Sequence, residues 1–277
     1  MSPPTKNLIE HACFLLALVQ LATRSQASTT PGSIEVDLIF PQNSSYAPSP
    51  LMPIVFAVQN PALAMTLSPS ISWYIEQQNI QPNQTDRVTG LVHLSDLNTS
   101  TSDPYFLHAT TQQLNKEGPF VFAWELSLHN CSRDPDSDTA VQVGSYGDRR
   151  YQVYFSIEEG SSAPDLVAAT SDDTCKNSLA QAVEVIDLLE IPAKQKQPAS
   201  SCAVLPSTLA TPSPCKVKID SSTAESLAVA MTSAACAAPT VEGIELQFRI
   251  NITGQLSIPA NQSRQIETGL GDTTYSV

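Results

Sequence analysis

The densest carboxylate run in the sequence is Asp134-Pro135-Asp136-Ser137-Asp138, whose alternate side chains could present oxygens to a hard cation such as calcium. A helix–loop–helix calcium loop also needs Gly at its sixth position and Glu at its twelfth. Thr139 and Ser145 stand there instead, so the run reads as a solvated acidic hairpin loop. Beyond the N-terminal leader there are three histidines, His93, His108 and His129, and none has a partner at metal-ligand or base spacing. Gly144-Ser145-Tyr146-Gly147 lacks the Gly two residues before the Ser that a nucleophile elbow requires, and no His-Glu-x-x-His occurs. Oxidative cleavage of polysaccharides by copper would need His at the mature N-terminus, where Ser28 is expected. Glu158-Glu159 and Asp172-Asp173 are carboxylate pairs of the kind glycoside hydrolysis uses. That chemistry depends on a separation in space, so these pairs read first as loop or strand-end charges. Tyr74 and Tyr154 are expected to point outward, where an aromatic face can stack on a sugar ring. No catalytic residue, cofactor site or metal ligand is assigned, and no cofactor is expected.

The elements that carry these residues are strands. Ile34, Val36, Leu38 and Phe40 alternate with Glu35 and Asp37. Ile54, Phe56 and Val58 alternate after Pro53, and Ile71, Trp73 and Ile75 alternate with Ser72, Tyr74 and Glu76. Phe120, Phe122, Trp124, Leu126 and Leu128 form a fourth set, and Tyr151, Val153, Phe155 and Ile157 a fifth. A period of two turns one face of each strand to the core and the other to water. That places His93 and His129 outward. Weaker runs at 86–95 and 104–113 bring the number to about seven strands, separated by Pro48-Ser49-Pro50, Asn60-Pro61 and Lys116-Glu117-Gly118-Pro119. The expected fold class is mainly β, an antiparallel β-sandwich of immunoglobulin-like type over residues 28–160. Trp73 falls where that fold keeps a core Trp, but no Cys near Phe56 offers the usual inter-sheet disulfide.

Ala163-Pro164-Asp165 marks a joint to a smaller disulfide-linked α+β region, 161–238. Val183, Val185, Leu189 and Ile191 share odd positions and favour a strand through 181–191. Leu179, Ala182, Val183, Ile186 and Leu189 also fit a helix, which stays open. Residues 192–214 carry five prolines among Ser and Thr and read as loop. Cys202–Leu205 and Cys215–Ile219 read as two short strands. Ser222-Thr223-Ala224-Glu225 is a capping box that opens an Ala-rich helix to about Cys236. An atypical tail, 239–277, follows.

Compartment is read from the N-terminus, the sequons and the cysteines. Lys6 and the apolar stretch Ala12–Ala22, with Ser25-Gln26-Ala27, form a signal peptide over 1–27. Its apolar core of about eleven residues is too short to span a bilayer, which needs roughly 20. Asn-x-Ser/Thr sequons at Asn43, Asn83, Asn98, Asn130, Asn251 and Asn261 are candidate N-glycosylation sites. The formal net charge is −13, and loss of Lys6, Arg24 and Glu10 with the leader makes the mature chain one charge more negative. With no Lys/Arg cluster, nucleic acid and anionic membranes are excluded as partners. Cys131, Cys175, Cys202, Cys215 and Cys236 remain after cleavage. In an oxidising compartment they give two bridges and one leftover thiol. No membrane span remains after signal cleavage, and the C-terminus as written carries no glycolipid-anchor signal.

Phe40-Pro41-Gln42-Asn43-Ser44-Ser45-Tyr46-Ala47-Pro48 and Met52-Pro53-Ile54-Val55-Phe56-Ala57-Val58-Gln59-Asn60-Pro61 resemble the opening of a family of fungal secreted proteins known only as a domain of unknown function. Pro164-Asp165-Leu166-Val167-Ala168-Ala169-Thr170 and Pro214-Cys215-Lys216-Val217-Lys218-Ile219-Asp220 resemble its second half, so the likeness runs over roughly residues 31–237. It implies a secreted fungal protein and brings no activity with it. It also implies a further cysteine and a hydrophobic C-terminal segment that this chain lacks after Cys236. The expectation is a secreted or wall-associated, non-enzymatic glycoprotein whose partners are cell-wall glycans or extracellular proteins. The competing readings are a carbohydrate-binding or carbohydrate-active protein, and a secreted effector.

Overall fold

The computed structural model describes residues 31–78, 87–94, 103–111, 114–133, 141–147, 149–191, 201–208 and 210–237, all within the compact unit that begins at Pro31. One sheet has the order β10 (Ala180–Val185), β1 (Gly32–Phe40), β3 (Met52–Gln59), β6 (Tyr105–Thr111), antiparallel throughout. The second runs β2 (Ser45–Tyr46), β9 (Arg150–Ile157), β7 (Gly118–Arg133), β4 (Ser70–Gln77), β5 (Arg87–His93). The distal half of the long β7 pairs instead with β8 (Val141–Tyr146). A separate hairpin joins β11 (Asp187–Glu190) to β12 (Ser201–Val204). The fold is thus mainly β. Its strand orders, β1-β3-β6 facing β5-β4-β7-β9, are the A-B-E and C′-C-F-G orders of an immunoglobulin-like sandwich.

The core lies between the sheets, filled by the alternating apolar positions. Phe56 on β3 meets Trp124 on β7 edge-on at 5.3 Å and Phe122 at 6.1 Å, while Trp73 on β4 stacks on Phe122 at 5.9 Å. This aromatic cluster bridges the two strands that a disulfide bridges in antibody domains. Trp73 also explains a glycine. Gly90 is its partner on β5, and a Cβ there would sit 2.3 Å from the indole ring.

The other face of the four-stranded sheet corrects the simple alternation. Glu35 and Asp37 were expected in water, yet they are buried at 5% and 0% exposure, because this sandwich has a third layer. Register places Glu35 level with Gln59, Asp37 with Ala57, and His108 with Val55 on that face. The C-terminal part of the chain covers it. The long helix packs against β6 and buries Leu227, Ala230 and Met231, while Val217 and Ile219 are buried in the segment before it.

Two short helices, α1 (Pro61–Ala64) and α2 (Leu166–Ala169), precede that long helix, α3 (Ser221–Ala237). Asp220 caps α3. Its carboxylate accepts from Thr223 N at 2.7 Å and from the Ser222 hydroxyl at 2.9 Å, so the cap lies two residues before the Ser222 box expected from sequence. The stretch expected as strand or helix is strand, β10 and then β11, broken at the half-exposed Ile186, where the chain passes from β10 to the β11–β12 hairpin. Cys215–Ile219 is not a strand: a 3-10 turn spans Pro214–Lys216. Backbone donors on either side bond to side chains instead of a neighbouring strand: Ser213 N to the Glu35 carboxylate, Ile219 N to Thr170 Oγ1. Cys131 is bridged to Cys202 and Cys175 to Cys215, and Cys236 is left as an exposed thiol. No helix among the described residues is long and apolar enough to cross a membrane.

Candidate functional site

Strand β2 is two residues long and pairs with β9 in parallel, Ser45 with Ser156 and Tyr46 with Ile157. The edge of β9 around Gln152–Tyr154 therefore has no β2 residue beside it, and the loop Pro41–Ser44 approaches it there. Tyr46 anchors that loop. Its hydroxyl accepts from Gln42 N at 3.1 Å and donates to Gln42 O at 3.2 Å, while its ring packs on Phe40 at 4.6 Å. Burial pushes the Tyr46 hydroxyl pKa up, so it stays a donor. Gln42 ties the loop to the opposite wall by donating to Ala169 O at 2.9 Å and Ser178 Oγ at 3.2 Å. That wall starts at Asp165, whose Oδ1 accepts from Val167 N and Ala168 N at 2.9 and 3.0 Å and starts α2.

Between the walls is a cleft of about 590 Å³, within the size range of small-molecule sites. Asn43, Gln152, Asn177, Ser44 and Ser162 line it, and among the described residues Asp165 is its one carboxylate and no Lys or Arg joins it. Tyr154, 56% exposed, supplies the open aromatic surface. Such a lining offers uncharged donors and acceptors beside one apolar face, and suits a neutral polyhydroxylated ligand better than an anion.

The other sequence candidates fall elsewhere. Tyr74 does lie on the outer face of β4, but the Arg87 guanidinium covers its ring at 4.4 Å, held there by Glu76 at 2.5 Å. His93 and His129 are exposed on β5 and β7 as expected. His108 is buried with neither ring nitrogen partnered among the described residues, and burial pushes its pKa down to about 4. Glu158 accepts from Ser156 at 2.6 Å and Ser45 at 3.3 Å, and Asp172 pairs with Lys218 at 2.6 Å, which holds its pKa below the usual carboxylate range. Gly144–Tyr146 lies on β8 and Gly147 just beyond it, and the next described element is the strand β9, not a helix behind Ser145. Among the described residues no three His, Cys, Asp or Glu side chains gather as a metal site. The 134–138 carboxylate run lies outside the described residues, as do Asn83, Asn98, Asn251, Asn261, the 1–27 leader and the 239–277 tail. Asn43 is exposed at the cleft, and Asn130 is half-buried within β7.

Sequence reasoning missed two things. The first is the buried pair Glu35–Asp37. Desolvation, with the Glu35 carboxylate beside it, pushes the Asp37 pKa up to about 8 against the opposing pull of Gln59 and Lys216. The pair is sealed under Ser213, so it cannot reach a substrate. The second is the cleft. Its walls come from Phe40–Tyr46 and Pro164–Thr170, two of the segments that carried the family resemblance, and nothing in their one-dimensional order says that they face each other. Residues 29–245 match a family described as a domain of unknown function, DUF7136. The chain belongs to that family. No curated protein and no solved structure matches this DUF7136 chain, so the cleft is read on its own chemistry.

Proposed function

We propose that this DUF7136 protein is a secreted fungal glycoprotein that acts by binding rather than by catalysis, and that its cleft takes a neutral saccharide such as a cell-wall glycan segment. Export is supported by the leader and sequons, and the two bridges fit an oxidising compartment. The observation that carries the ligand class is Tyr154: an exposed ring on the rim of a cleft lined by Asn, Gln and Ser, with no Lys or Arg among the described lining residues. Burying that ring under a sugar supplies apolar contact, and the surrounding amides fix orientation.

The test is calorimetric titration with soluble oligomers of chitin, β-glucan and cellulose, beside retention on the insoluble polymers. At least one oligomer binds, and Tyr154→Ala weakens it about tenfold, or ~1.4 kcal/mol, with an unchanged melting temperature because the side chain is exposed. Absence of binding to all three would remove the saccharide reading. Release of soluble reducing sugar from any of them would overturn the non-catalytic one.

A further inference from the structure

Asn43 opens the sequon Asn43-Ser44-Ser45 and is exposed just before β2. The parallel register sets Ser45 level with Ser156 and Tyr46 level with Ile157. Asn43 and Ser44 form the bend that leads into β2, facing the stretch of β9 that β2 leaves unpaired. The Ser45 and Ser156 hydroxyls touch at 2.7 Å, and Asn43 and Tyr154 each lie two residues before one of them. Both side chains line the cleft. A sugar linked to the Asn43 amide therefore starts in the same cleft whose rim carries the Tyr154 phenol.

We infer that Asn43 carries an N-linked glycan whose first N-acetylglucosamine lies against the Tyr154 ring, so that the chain's own glycan fills the cleft and gates it against a saccharide from outside. The modification half rests on the export reading proposed above, and the gating half on the saccharide reading. The covalent step is ordinary for an exported sequon. The co-reactant is a polyprenyl-diphosphate-linked oligosaccharide. Asn43 Nδ2 bonds to its anomeric carbon, the carbon–oxygen bond to the diphosphate breaks, one amide proton is lost and the lipid diphosphate leaves. The Ser45 hydroxyl bonds to Ser156 and Glu158, which hold the sequon's third residue beside β9 once the chain folds. Asn130, the other described sequon, is set differently: it is half-buried in mid-strand opposite Gly144, where a Cβ would meet its Oδ1 at 2.9 Å.

The experiment uses the full chain secreted from a glycosylating yeast, with three readouts. Glycopeptide mass spectrometry finds Asn43 occupied. Nitration by tetranitromethane, read at the Tyr154 peptide, is blocked in the glycoprotein and still blocked after endoglycosidase trimming to a single N-acetylglucosamine. That protection is lost in Asn43→Gln and in Ser45→Ala, two variants that delete the sequon from opposite ends. Oligosaccharide affinity rises about tenfold in Asn43→Gln, equivalent to ~1.4 kcal/mol. An unoccupied Asn43, or equal nitration of Tyr154 with and without its glycan, overturns the inference. If Asn43→Gln binds no oligosaccharide, the saccharide reading fails by itself, because nitration still reports whether the glycan covers Tyr154. Unchanged affinity with protection intact overturns the gating.

Discussion

A single hydrogen at Gly90 lets β5 lie against the Trp73 ring, and any larger side chain must displace the indole that stacks on Phe122. Gly90→Val is expected to destabilise the protein by about 1–3 kcal/mol, the usual cost of overpacking, measurable as a lower urea midpoint with unchanged slope. The sequence showed that Trp73 faces inward, because period-two alternation fixes faces. It did not show that Gly90 is its cross-strand neighbour, since register is a property of two segments. The two outward tyrosines teach the same lesson. Alternation turned both Tyr74 and Tyr154 outward, yet Arg87 covers one and leaves the other open, and that difference comes from the β4–β5 pairing. Tyr154 could be singled out as an aromatic but not as the member of the pair that lines a cleft.

At the scale of elements, the strands were legible and the third layer was not. Each strand announces itself by its own residues, but whether its second face meets water depends on what the chain does almost two hundred residues later. Glu35 accepts from Ser213 N through both carboxylate oxygens, at 2.7 and 2.9 Å, and so turns a solvent-type residue into a clamp for the covering segment. The bridge Cys175–Cys215 fixes the same segment from the other side, closing a loop with a sequence separation of 40. Converting both cysteines to Ala is expected to cost about 2–5 kcal/mol, measured by denaturant unfolding. Proteolysis should then cut first near residues 213–219, since that segment loses one of its anchors. The five cysteines left after the leader suggested two bridges but not which, because connectivity is set by the fold. The mistaken strand at Cys215–Ile219 has the same origin: Lys216-Val217-Lys218-Ile219 alternates, but its neighbours are side chains and a disulfide. Leu227→Ala on α3 should cost about 2–5 kcal/mol, because Leu227 is 1% exposed between helix and sheet.

For the whole molecule, that covered face sets how stability answers to pH. Asp37 has its pKa raised to about 8, so the folded state keeps a proton that the unfolded chain releases near the ordinary carboxylate value of 3.8. Its contribution is complete below that value and is lost as pH rises toward 8. His108, lowered to about 4 from 6.5, works the opposite way: its contribution is complete above 6.5 and is lost as pH falls toward 4. The charged groups beside Asp37 are Glu35 and Lys216. Asp172 and Asp220 are held below the ordinary carboxylate value by Lys218 and by Thr223 N–H respectively, and their contributions are lost only under stronger acid. Between about pH 4 and 6.5 the Asp37 and His108 slopes offset, each at most ~1.4 kcal/mol per pH unit. From 6.5 to 8 only Asp37 remains, and stability falls. Urea midpoints across pH 3–9 should therefore show a plateau on the acidic side and a decline above 6.5. Asp37→Asn, which keeps a donor toward Glu35 without the charge, should flatten that decline. His108→Leu should remove the opposing slope and start the decline near pH 4. A wild-type profile that is flat from 6.5 to 8 would mean that Asp37 is ionised under its cover. The net charge of −13 points the same way as the expected profile, since self-repulsion among carboxylates eases as pH falls. Surface and buried face alike then favour a mildly acidic surrounding, and the two substitutions separate the buried contribution from the general one.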